Sequence, residues 1–350
     1  MALLRLPRRA GRRTNLGLLT LLVLAGTTGV LAYAVGTPGP SRVVVAVHGA
    51  AGLGLLLLVP WKAVVVRRAW RLPRAARAPG TALFLAALVV LTVVSGVLHA
   101  VGATGPWAGV SALQVHVGAA ICALVVLGTH VWGRRQRFRS TDLQRRALLQ
   151  AGALGLGAAA LWGGLEGVLR LTDAPGARRR ATGSAERGTD DPDAMPVTQW
   201  FTDELPSAAA RGVTVVAGGR SVLVPVADLD RGDRVRAVLD CTGGWYASQE
   251  WAGVRLDHLL AGLDLPDGDL PDGGSIDVVS ATGYTRRLPL SDAAHLLLAT
   301  SAAGTPLSTG HGAPVRLVAP GRRGFWWVKW VVRLEVVDAP WWVQSPFPLQ

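Results

Sequence analysis

The chain has 350 residues, half of them hydrophobic, and a formal net charge of +13. Residues 1–146 hold seventeen Arg and one Lys against one Asp, whereas residues 147–350 hold 18 basic and 22 acidic side chains. Because the excess arginines lie in short segments between long apolar stretches, they indicate membrane topology and exclude nucleic-acid binding as the explanation of the charge.

Five apolar stretches are long enough to cross a bilayer, which takes about 20 residues. They are residues 16–35, 43–66, 81–102, 110–132 and 147–169. Arginines precede the first stretch, separate the second from the third, and separate the fourth from the fifth. The alternate loops hold only Arg42. Since arginine accumulates on the cytoplasmic side, we predict a multi-pass protein of the cytoplasmic membrane with everything after residue 169 outside.

Four histidines lie inside the predicted spans. His48, His99 and His116 fall near the outer ends of the second, third and fourth spans, and His130 near the inner end of the fourth. An ionisable side chain is costly in a bilayer and is therefore a functional candidate. Two histidines on facing helices can ligate a b-type haem. We predict one outer haem held by His48 and His116, with His99 as reserve ligand; a quinone site or hydrogen bonds to backbone carbonyls are the alternatives.

The fifth span starts with a pair of arginines. Arg145 and Arg146 precede a moderately apolar, Gly- and Ala-rich stretch, which resembles a twin-arginine export signal. Leu148 and Gln150 stand where that signal commonly has Phe and Lys. Because this route exports folded proteins, it would suit a domain that receives its cofactor in the cytoplasm. Paired arginines are also ordinary at the cytoplasmic end of a span, so both interpretations stay open.

Composition divides the chain into successive parts. Residues 1–134 predict a four-span bundle and residues 135–170 the fifth span. Residues 171–196, with Pro, Gly, Ser, Thr and mixed charges, predict a flexible linker. Residues 197–340 have the size of one folded domain, and residues 341–350 form a C-terminal tail.

The folded domain shows short strand patterns separated by Gly- and Pro-containing turns. Strands are predicted at 213–217, 221–226, 234–240, 275–280, 284–288, 314–319 and 326–337, and helices at 253–262 and 290–299. The predicted fold class is an N-terminal all-α transmembrane bundle of five spans followed by a β-dominated α+β domain.

Cys241 is the single cysteine of the second half of the chain. The other cysteine, Cys122, lies within the fourth apolar stretch, so no intrachain disulfide is expected. An exported domain that keeps one unpaired thiol usually needs it as a metal ligand or nucleophile. A small buried core residue is the alternative.

Two further clusters accompany Cys241. One runs from Thr282 to Leu290, and the other from Gly310 to Gly321 and on to Val331. Together they combine a histidine, several cations and closely spaced glycines between strands. Such a set suits an anionic, phosphate-bearing ligand, because backbone amides approach at glycine while Arg and Lys neutralise charge. A solvated basic loop is the alternative.

These motifs resemble the molybdopterin-binding domain of the sulfite oxidase family over residues 197–338. That family shows a Cys-x-Gly segment, a Trp-x-Gly-Val-x-Leu run, a Gly-Tyr strand, a His-Gly-x-Pro-x-Arg-Leu-Val-x-Pro-Gly stretch and a Val-Lys-Trp strand. The corresponding segments here are, in the same order, Cys241–Gly243, Trp251–Leu256, Gly283–Tyr284, His311–Gly321 and Val328–Trp330.

The resemblance implies roles for individual residues. Cys241 would be the protein thiolate on molybdenum, since a soft sulfur ligand suits this metal. His311, Arg316 and Lys329 match positions near the pterin and its phosphate. Tyr284 matches a tyrosine that faces the metal and could donate a hydrogen bond to the oxygen being transferred. Two further arginines are predicted to help bind the cofactor: Arg322 and Arg323.

One departure bears on the substrate. Sulfite and nitrate enzymes carry an Asn-Arg-Arg run after the cysteine segment, which helps form an anion pocket; here the stretch is Gly244-Trp245-Tyr246. The change favours a neutral or bulkier substrate such as a sulfoxide, including oxidised methionine in proteins. Core packing of Trp245 and Tyr246 is the alternative.

We therefore predict a membrane-anchored molybdenum oxidoreductase that transfers an oxygen atom. Reduction of a sulfoxide-like or other small oxo substrate is favoured over oxidation. Electrons would be exchanged through the helical bundle with the quinone pool or another membrane or extracytoplasmic electron-transfer protein. Two alternatives stay open: a sulfite-type oxidase served by a separate cytochrome, and a cofactor-free binding module with a membrane anchor.

Overall fold

The computed structural model describes residues 10–70, 79–103, 105, 109–132, 144–198, 211–263, 271 and 273–346. The chain divides into two compact units, Met1–Ala185 and Glu186–Gln350. Most arginines on which the predicted topology depends lie outside the described residues, namely those between 1 and 9, between 71 and 78, and between 133 and 143.

The described part of the first unit is helical. Its helices are α1 (Arg12–Ala34), α2 (Pro38–Leu57), α3 (Val59–Trp70), α4 (Pro79–Ala100), α5 (Ala112–Trp132) and α6 (Arg145–Leu171). Five of them are long and apolar enough to cross a membrane: α1, α2, α4, α5 and α6. The prediction of five apolar spans is confirmed in this sense.

Large apolar side chains cover the outside of these helices. Val125 is 66% exposed and Leu156 75% exposed, although both are aliphatic. An apolar exterior of this extent indicates membrane association, where lipid covers such a surface and each helix satisfies its own backbone hydrogen bonds.

The second predicted span differs from the structure at its C-terminal end. Residues 43–66 were expected to form one helix, but α2 ends at Leu57 and α3 begins at Val59. Pro60 explains the break, because proline lacks the amide hydrogen and its ring clashes with the carbonyl four residues earlier. In α3 the proline occupies the first turn, where no intrahelical donor is needed.

The second unit contains most of the strands. They are β1 (Ala185–Glu186), β2 (Gly212–Ala217), β3 (Arg220–Pro225), β4 (Asp233–Cys241), β5 (Trp245–Arg255), β6 (Ser275–Ser280), β7 (Thr285–Pro289), β8 (Leu297–Ala302), β9 (Thr305–Pro306), β10 (Arg316–Val318) and β11 (Val331–Val337). One short helix, α7 (Leu256–Ala261), follows β5.

The described strands form two sheets that share one core. The first has six strands in the order β1-β5-β8-β10, with β4 paired to β5 and β9 to β8. The second has five in the order β3-β2-β11-β6-β7, and only its β11–β2 pair is parallel. Trp251 and Leu298 of the first sheet and Leu334 of the second lie in the same hydrophobic core. This confirms a β-dominated α+β domain.

Two central strands were missed by the sequence analysis. β5 lies between β4 and β8, but only its last residues were assigned, and to a helix. Residues 290–299 were also predicted as a helix, yet only Leu290–His295 form a 3₁₀ turn, and β8 follows. Leu297, Leu298 and Ala299 are all buried between β5 and β10. A fully buried strand has no alternation of polar and apolar residues, so its leucines have the composition of a helix.

The segment predicted as a flexible linker is ordered on both sides of the unit boundary. After α6, the Gly176 amide donates to the Val101 carbonyl at 3.2 Å within the first unit. In the second unit, Arg187 donates to the Tyr246 carbonyl at 2.8 Å, and the Met195 side chain is buried in the core. The described residues of 171–196 therefore make contacts within each unit, and the flexible linker stays a prediction.

Candidate functional site

Cys241 lies at the end of β4, where the chain turns back into β5. The hairpin pairs Cys241 with Trp245, and Gly244 adopts φ +85°, a conformation that favours glycine. The Gly243 amide donates to the Cys241 Sγ at 3.3 Å. A backbone N–H directed at sulfur stabilises negative charge on it. Both cysteines of the chain are free, and Cys241 is half-buried.

A buried ion pair holds the backbone next to Cys241. Arg323 pairs with Asp240, the residue before the cysteine, and the two side chains are 5% and 8% exposed. The same residues form an isolated parallel β-bridge. Gly324 packs so closely here that an added Cβ would lie 2.9 Å from the Cys241 Cα. The loop after β10 therefore forms one wall of the site.

Tyr284 reaches the same wall from the start of β7. Its hydroxyl donates to the carbonyl oxygen of Phe325, the residue after Gly324. The side chain is half-buried against the hydrophobic core. The structure thus brings the predicted catalytic tyrosine to the segment that packs on Cys241.

Arg316 is a fully buried cation beside the cysteine. Its guanidinium donates to the His311 carbonyl at 3.0 Å and lies over the rings of Trp251 and Trp327, at 5.0 and 5.7 Å from their centroids. Burial lowers the pKa of Arg316 to about 10, while the negative charge of Cys241 acts in the opposite direction. Among the described residues no carboxylate pairs with Arg316, and its buried Nε has no hydrogen-bond partner.

His311 and Lys329 bind the segment that precedes the domain's first long strand. The His311 Nε2 donates to the Met195 carbonyl at 3.2 Å, and the Ser308 hydroxyl lies 2.8 Å from Nδ1. The Lys329 ammonium donates to the carbonyls of Thr198 at 2.9 Å and Gly310 at 2.6 Å. Burial lowers the pKa of His311, and the positive charges of Arg316 and Lys329 lower it further.

Arg322 takes part in a stack of arginines and indole rings. Its guanidinium lies 4.8 Å from the Trp326 ring centroid and 5.6 Å from that of Trp341, while Arg286 covers Trp326 at 4.3 Å. Arg322 also forms an ion pair with Asp292 at 2.6 Å. Since Arg322 and Arg323 both contact protein carboxylates, their predicted role in cofactor binding stays a prediction.

Trp245, the first aromatic residue where the sequence departs from the family pattern, packs in the core. Trp245 is buried in the hydrophobic core, and its Nε1 donates to the Thr198 hydroxyl at 3.0 Å. Tyr246 is half-buried on β5. The alternative of core packing therefore holds for Trp245.

The predicted haem ligands separate into a pair and a third residue. The rings of His48 and His116 lie 5.7 Å apart between centroids. His99 instead has its Nε2 at 3.2 Å from the Gly183 carbonyl, to which it donates.

Comparison with known proteins identifies the second unit. Residues 220–344 match the family model of the oxidoreductase molybdopterin binding domain. This part of the chain is a molybdopterin-binding oxidoreductase domain of the sulfite oxidase and nitrate reductase family. The matched residues include Cys241, Tyr284, His311, Arg316 and Lys329.

Individual relatives agree with the family model. The molybdopterin domain is similar to mitochondrial sulfite oxidase of Mus musculus, with 32% identity over 149 residues, covering 34% of this chain and 27% of that protein. It is also similar to nitrate reductase [NAD(P)H] of Hordeum vulgare, with 29% identity over 170 residues, covering 41% of this chain and 19% of that protein. The chain thus spans about a quarter or less of these relatives' lengths.

Among solved structures, this chain is similar to the sulfane dehydrogenase SoxCD from Paracoccus pantotrophus, with 26% sequence identity. The match covers 39% of this chain and 40% of that chain, with a TM-score of 0.34.

The residues around Cys241 fit the molybdenum cofactor that this family implies. A thiolate-bound molybdopterin is anionic, and a buried guanidinium whose Nε has no hydrogen-bond partner needs an anion or acceptor. Cys241 supplies a soft sulfur ligand, and the cations Arg316 and Lys329 suit a phosphate. These residues are therefore of the chemical types that this group needs.

Three contributors to the site were not predicted from the sequence. Asp240 was not singled out, although it forms the ion pair beside the cysteine. The carbonyls of Met195 and Thr198 were assigned to the end of the linker and the start of the domain, yet they accept hydrogen bonds from two predicted cofactor ligands. Asp240 could have been singled out because it is adjacent to Cys241. A hydrogen bond to a backbone carbonyl cannot be predicted from the residue type, because every residue has that group.

Proposed function

We propose that the chain is a membrane-anchored molybdenum oxidoreductase that transfers an oxygen atom, with reduction of a sulfoxide-like substrate as the favoured direction. The observation that carries this proposal is the buried Arg316 guanidinium beside Cys241. A cation without a carboxylate partner among the described residues is costly in a protein interior unless an anion joins it. The thiolate-bound cofactor of this family provides that anion.

When bound, the cofactor supplies a two-electron metal centre capable of oxygen-atom transfer. Cys241 would hold the metal from the end of β4, and the Gly243 amide would stabilise the negative charge of its sulfur. Arg316, His311 and Lys329 would hold the pterin and phosphate side. Tyr284, whose hydroxyl now donates to the Phe325 carbonyl, supplies a hydrogen-bond donor on the substrate side.

The uncharged stretch after Cys241 supports the substrate class. Where sulfite and nitrate enzymes place an arginine run, this chain has buried Trp245 and half-buried Tyr246. Two arginines farther along the wall, Arg286 and Arg322, are stacked on Trp326, and Arg322 is neutralised by Asp292. An anionic substrate therefore meets less cationic help here than in the family's pattern, which favours a neutral oxo substrate.

The membrane location rests on the apolar helices. Their length and composition fit a bilayer, and the arginine distribution in the sequence favours an extracytoplasmic molybdopterin domain. The paired arginines 145 and 146 at the start of α6 fit export of a folded domain by the twin-arginine route. Electrons would then cross the helical unit to reach a quinone or an electron-transfer protein.

Metal analysis tests the proposal directly. Full-length protein purified from a host that makes molybdopterin should contain about one Mo per chain, and Cys241→Ala should remove it. Cys122→Ala is the matched control, because that thiol lies in α5, and it should keep the metal. A folded wild-type chain without Mo would overturn the enzyme assignment and leave a binding module.

Turnover then separates the substrates. Methionine sulfoxide with a reduced artificial donor should be consumed by the wild-type chain and not by Cys241→Ala. Sulfite oxidation with an artificial acceptor is the competing reaction. Turnover of sulfite alone would replace sulfoxide reduction by the sulfite-type oxidase alternative.

A further inference from the structure

Two helical hairpins of the first unit share one arrangement, in which a histidine of the second helix bonds a backbone carbonyl of the first. In the α1–α2 hairpin, the Ala25 carbonyl lies 3.0 Å from the His48 Nδ1. In the α4–α5 hairpin, the Thr92 carbonyl lies 2.8 Å from the His116 Nδ1. The two imidazoles meet between the hairpins with their ring centroids 5.7 Å apart and their planes at 83°.

A glycine makes room for each imidazole. Gly29 lies one helical turn after Ala25, and an added Cβ there would be 3.2 Å from the His48 Cε1. Gly96 lies one turn after Thr92, and an added Cβ would be 2.8 Å from the His116 Nδ1. The sequences around the two glycines are alike, Thr28-Gly29-Val30-Leu31 and Ser95-Gly96-Val97-Leu98, and both hydroxyls bond the carbonyl four residues earlier at 2.6 Å.

These hydrogen bonds select one tautomer of both histidines. A carbonyl oxygen only accepts, so each Nδ1 carries the proton and donates it. The lone pair of a neutral imidazole is then on Nε2, the nitrogen that can bind a metal. Metal-binding histidines usually donate their other ring N–H to a carbonyl or carboxylate, which holds the ring orientation and raises the basicity of the ligating nitrogen.

The ligand set identifies the class of metal. Among the described residues there is no group of three or more His, Cys, Asp or Glu side chains that could hold a bare ion. A structural Zn²⁺ needs four protein ligands. Haem iron brings four nitrogens of its own and needs only two axial ligands. The two imidazoles that meet between the hairpins supply that number of ligands.

We infer that His48 and His116 are the axial ligands of a b-type haem placed between the α1–α2 and α4–α5 hairpins. The inference deepens the proposed function, because such a haem would exchange electrons with the molybdopterin domain. The haem inference is argued only from contacts within the two helical hairpins, so its test does not depend on molybdenum.

The experiment measures haem in the full-length chain purified in detergent from a host that makes both haem and molybdopterin. The wild-type chain should contain about one haem per chain with the low-spin optical and EPR spectra of two imidazole ligands. His48→Ala and His116→Ala should each abolish the low-spin spectrum. His130→Ala, on the same helix as His116 but close to four turns away, is the matched control and should keep it.

A rescue variant separates ligand loss from misfolding. His116→Gly should lose the low-spin spectrum and regain it when imidazole is added, which a collapsed bundle would not do. Gly96→Leu should also lose haem, since its side chain would fill the space of the His116 ring without touching the iron.

Several results would overturn the haem assignment. They are a helical wild-type chain without haem, an unchanged spectrum in either alanine variant, equal loss in His130→Ala, or no response of His116→Gly to imidazole. Molybdenum content and turnover with an artificial donor are measured on the same preparations. Loss of haem with retained Mo then contradicts only this inference, and loss of Mo with retained haem contradicts only the proposed function.

Discussion

Arg323 forms a buried ion pair with Asp240, the residue that directly precedes Cys241. The pair joins the end of β4 to the loop after β10, and the parallel bridge between the same residues adds backbone contact. Because Gly324 packs on the Cys241 Cα, a displacement of this loop moves the predicted metal ligand. We assign Asp240 and Arg323 a positioning role.

Breaking this pair should be costly. Asp240→Asn or Arg323→Gln leaves one buried charge without its partner, so each should lower the free energy of unfolding by about 3–5 kcal/mol. The measurement is denaturant unfolding of the full-length chain followed by tryptophan fluorescence. Removing the exposed pair between Arg333 and Glu335 by Arg333→Gln should change stability by less than about 1 kcal/mol. Equal effects of the buried and exposed variants would contradict the positioning role.

Replacing Arg316 should separate cofactor binding from folding. Arg316→Met removes a buried charge that has no carboxylate partner among the described residues, so the cofactor-free chain should lose less than about 2 kcal/mol of stability. Molybdenum content should nevertheless fall severalfold, because the anionic group loses its buried cation. Both quantities are measured on protein from hosts with and without molybdopterin synthesis. A variant with full molybdenum content would contradict the role of Arg316.

Acid should destabilise the chain through His311. Burial, with the charges of Arg316 and Lys329, lowers the pKa of this imidazole below its ordinary 6.5 in the folded state. The unfolded chain therefore binds more protons as pH falls below about 6.5, and stability declines until pH reaches the lowered folded pKa. Above pH 6.5 the contribution of the neutral ring is complete.

Unfolding midpoints between about pH 5 and pH 8 check this dependence. His311→Gln should flatten it, whereas His295→Gln, at an exposed position, should leave the His311 contribution in place. An unchanged slope in His311→Gln would mean that other groups cause the acid sensitivity.

A methyl group at Gly324 should disturb the metal ligand. In Gly324→Ala the new Cβ would lie 2.9 Å from the Cys241 Cα and 3.2 Å from the Asp240 carbonyl oxygen, and these backbone atoms cannot rotate away. Overpacking of this kind costs about 1–3 kcal/mol. We expect reduced Mo content together with reduced stability, measured by metal analysis and denaturant unfolding. Normal values of both would show that the loop can move without consequence for Cys241.

Local patterns were sufficient for much of the architecture. Long apolar stretches identified all five candidate spans, because a membrane helix satisfies its backbone within one segment. The resemblance of short motifs around Cys241, Tyr284 and His311 to a known family predicted the molybdopterin domain, and the family model matches residues 220–344. Most strands at the edges of the sheets were also predicted, because one face is polar and the alternation is visible.

Contacts between distant residues decided the rest. β8 was missed because its first residues, Leu297–Ala299, are buried on both faces and carry no alternating pattern. β5 alternates in burial only up to Trp251 and is buried at the residues that were assigned to a helix. Asp240 gained a role through an arginine 83 positions away. Helix packing brings His48 into contact with His116 and His99 into contact with a backbone carbonyl. The distance between these helices in space cannot be predicted from their separation in sequence. Ion pairs, sheet neighbours and ring contacts form wherever the folded chain brings complementary groups together, and that juxtaposition exists only in three dimensions.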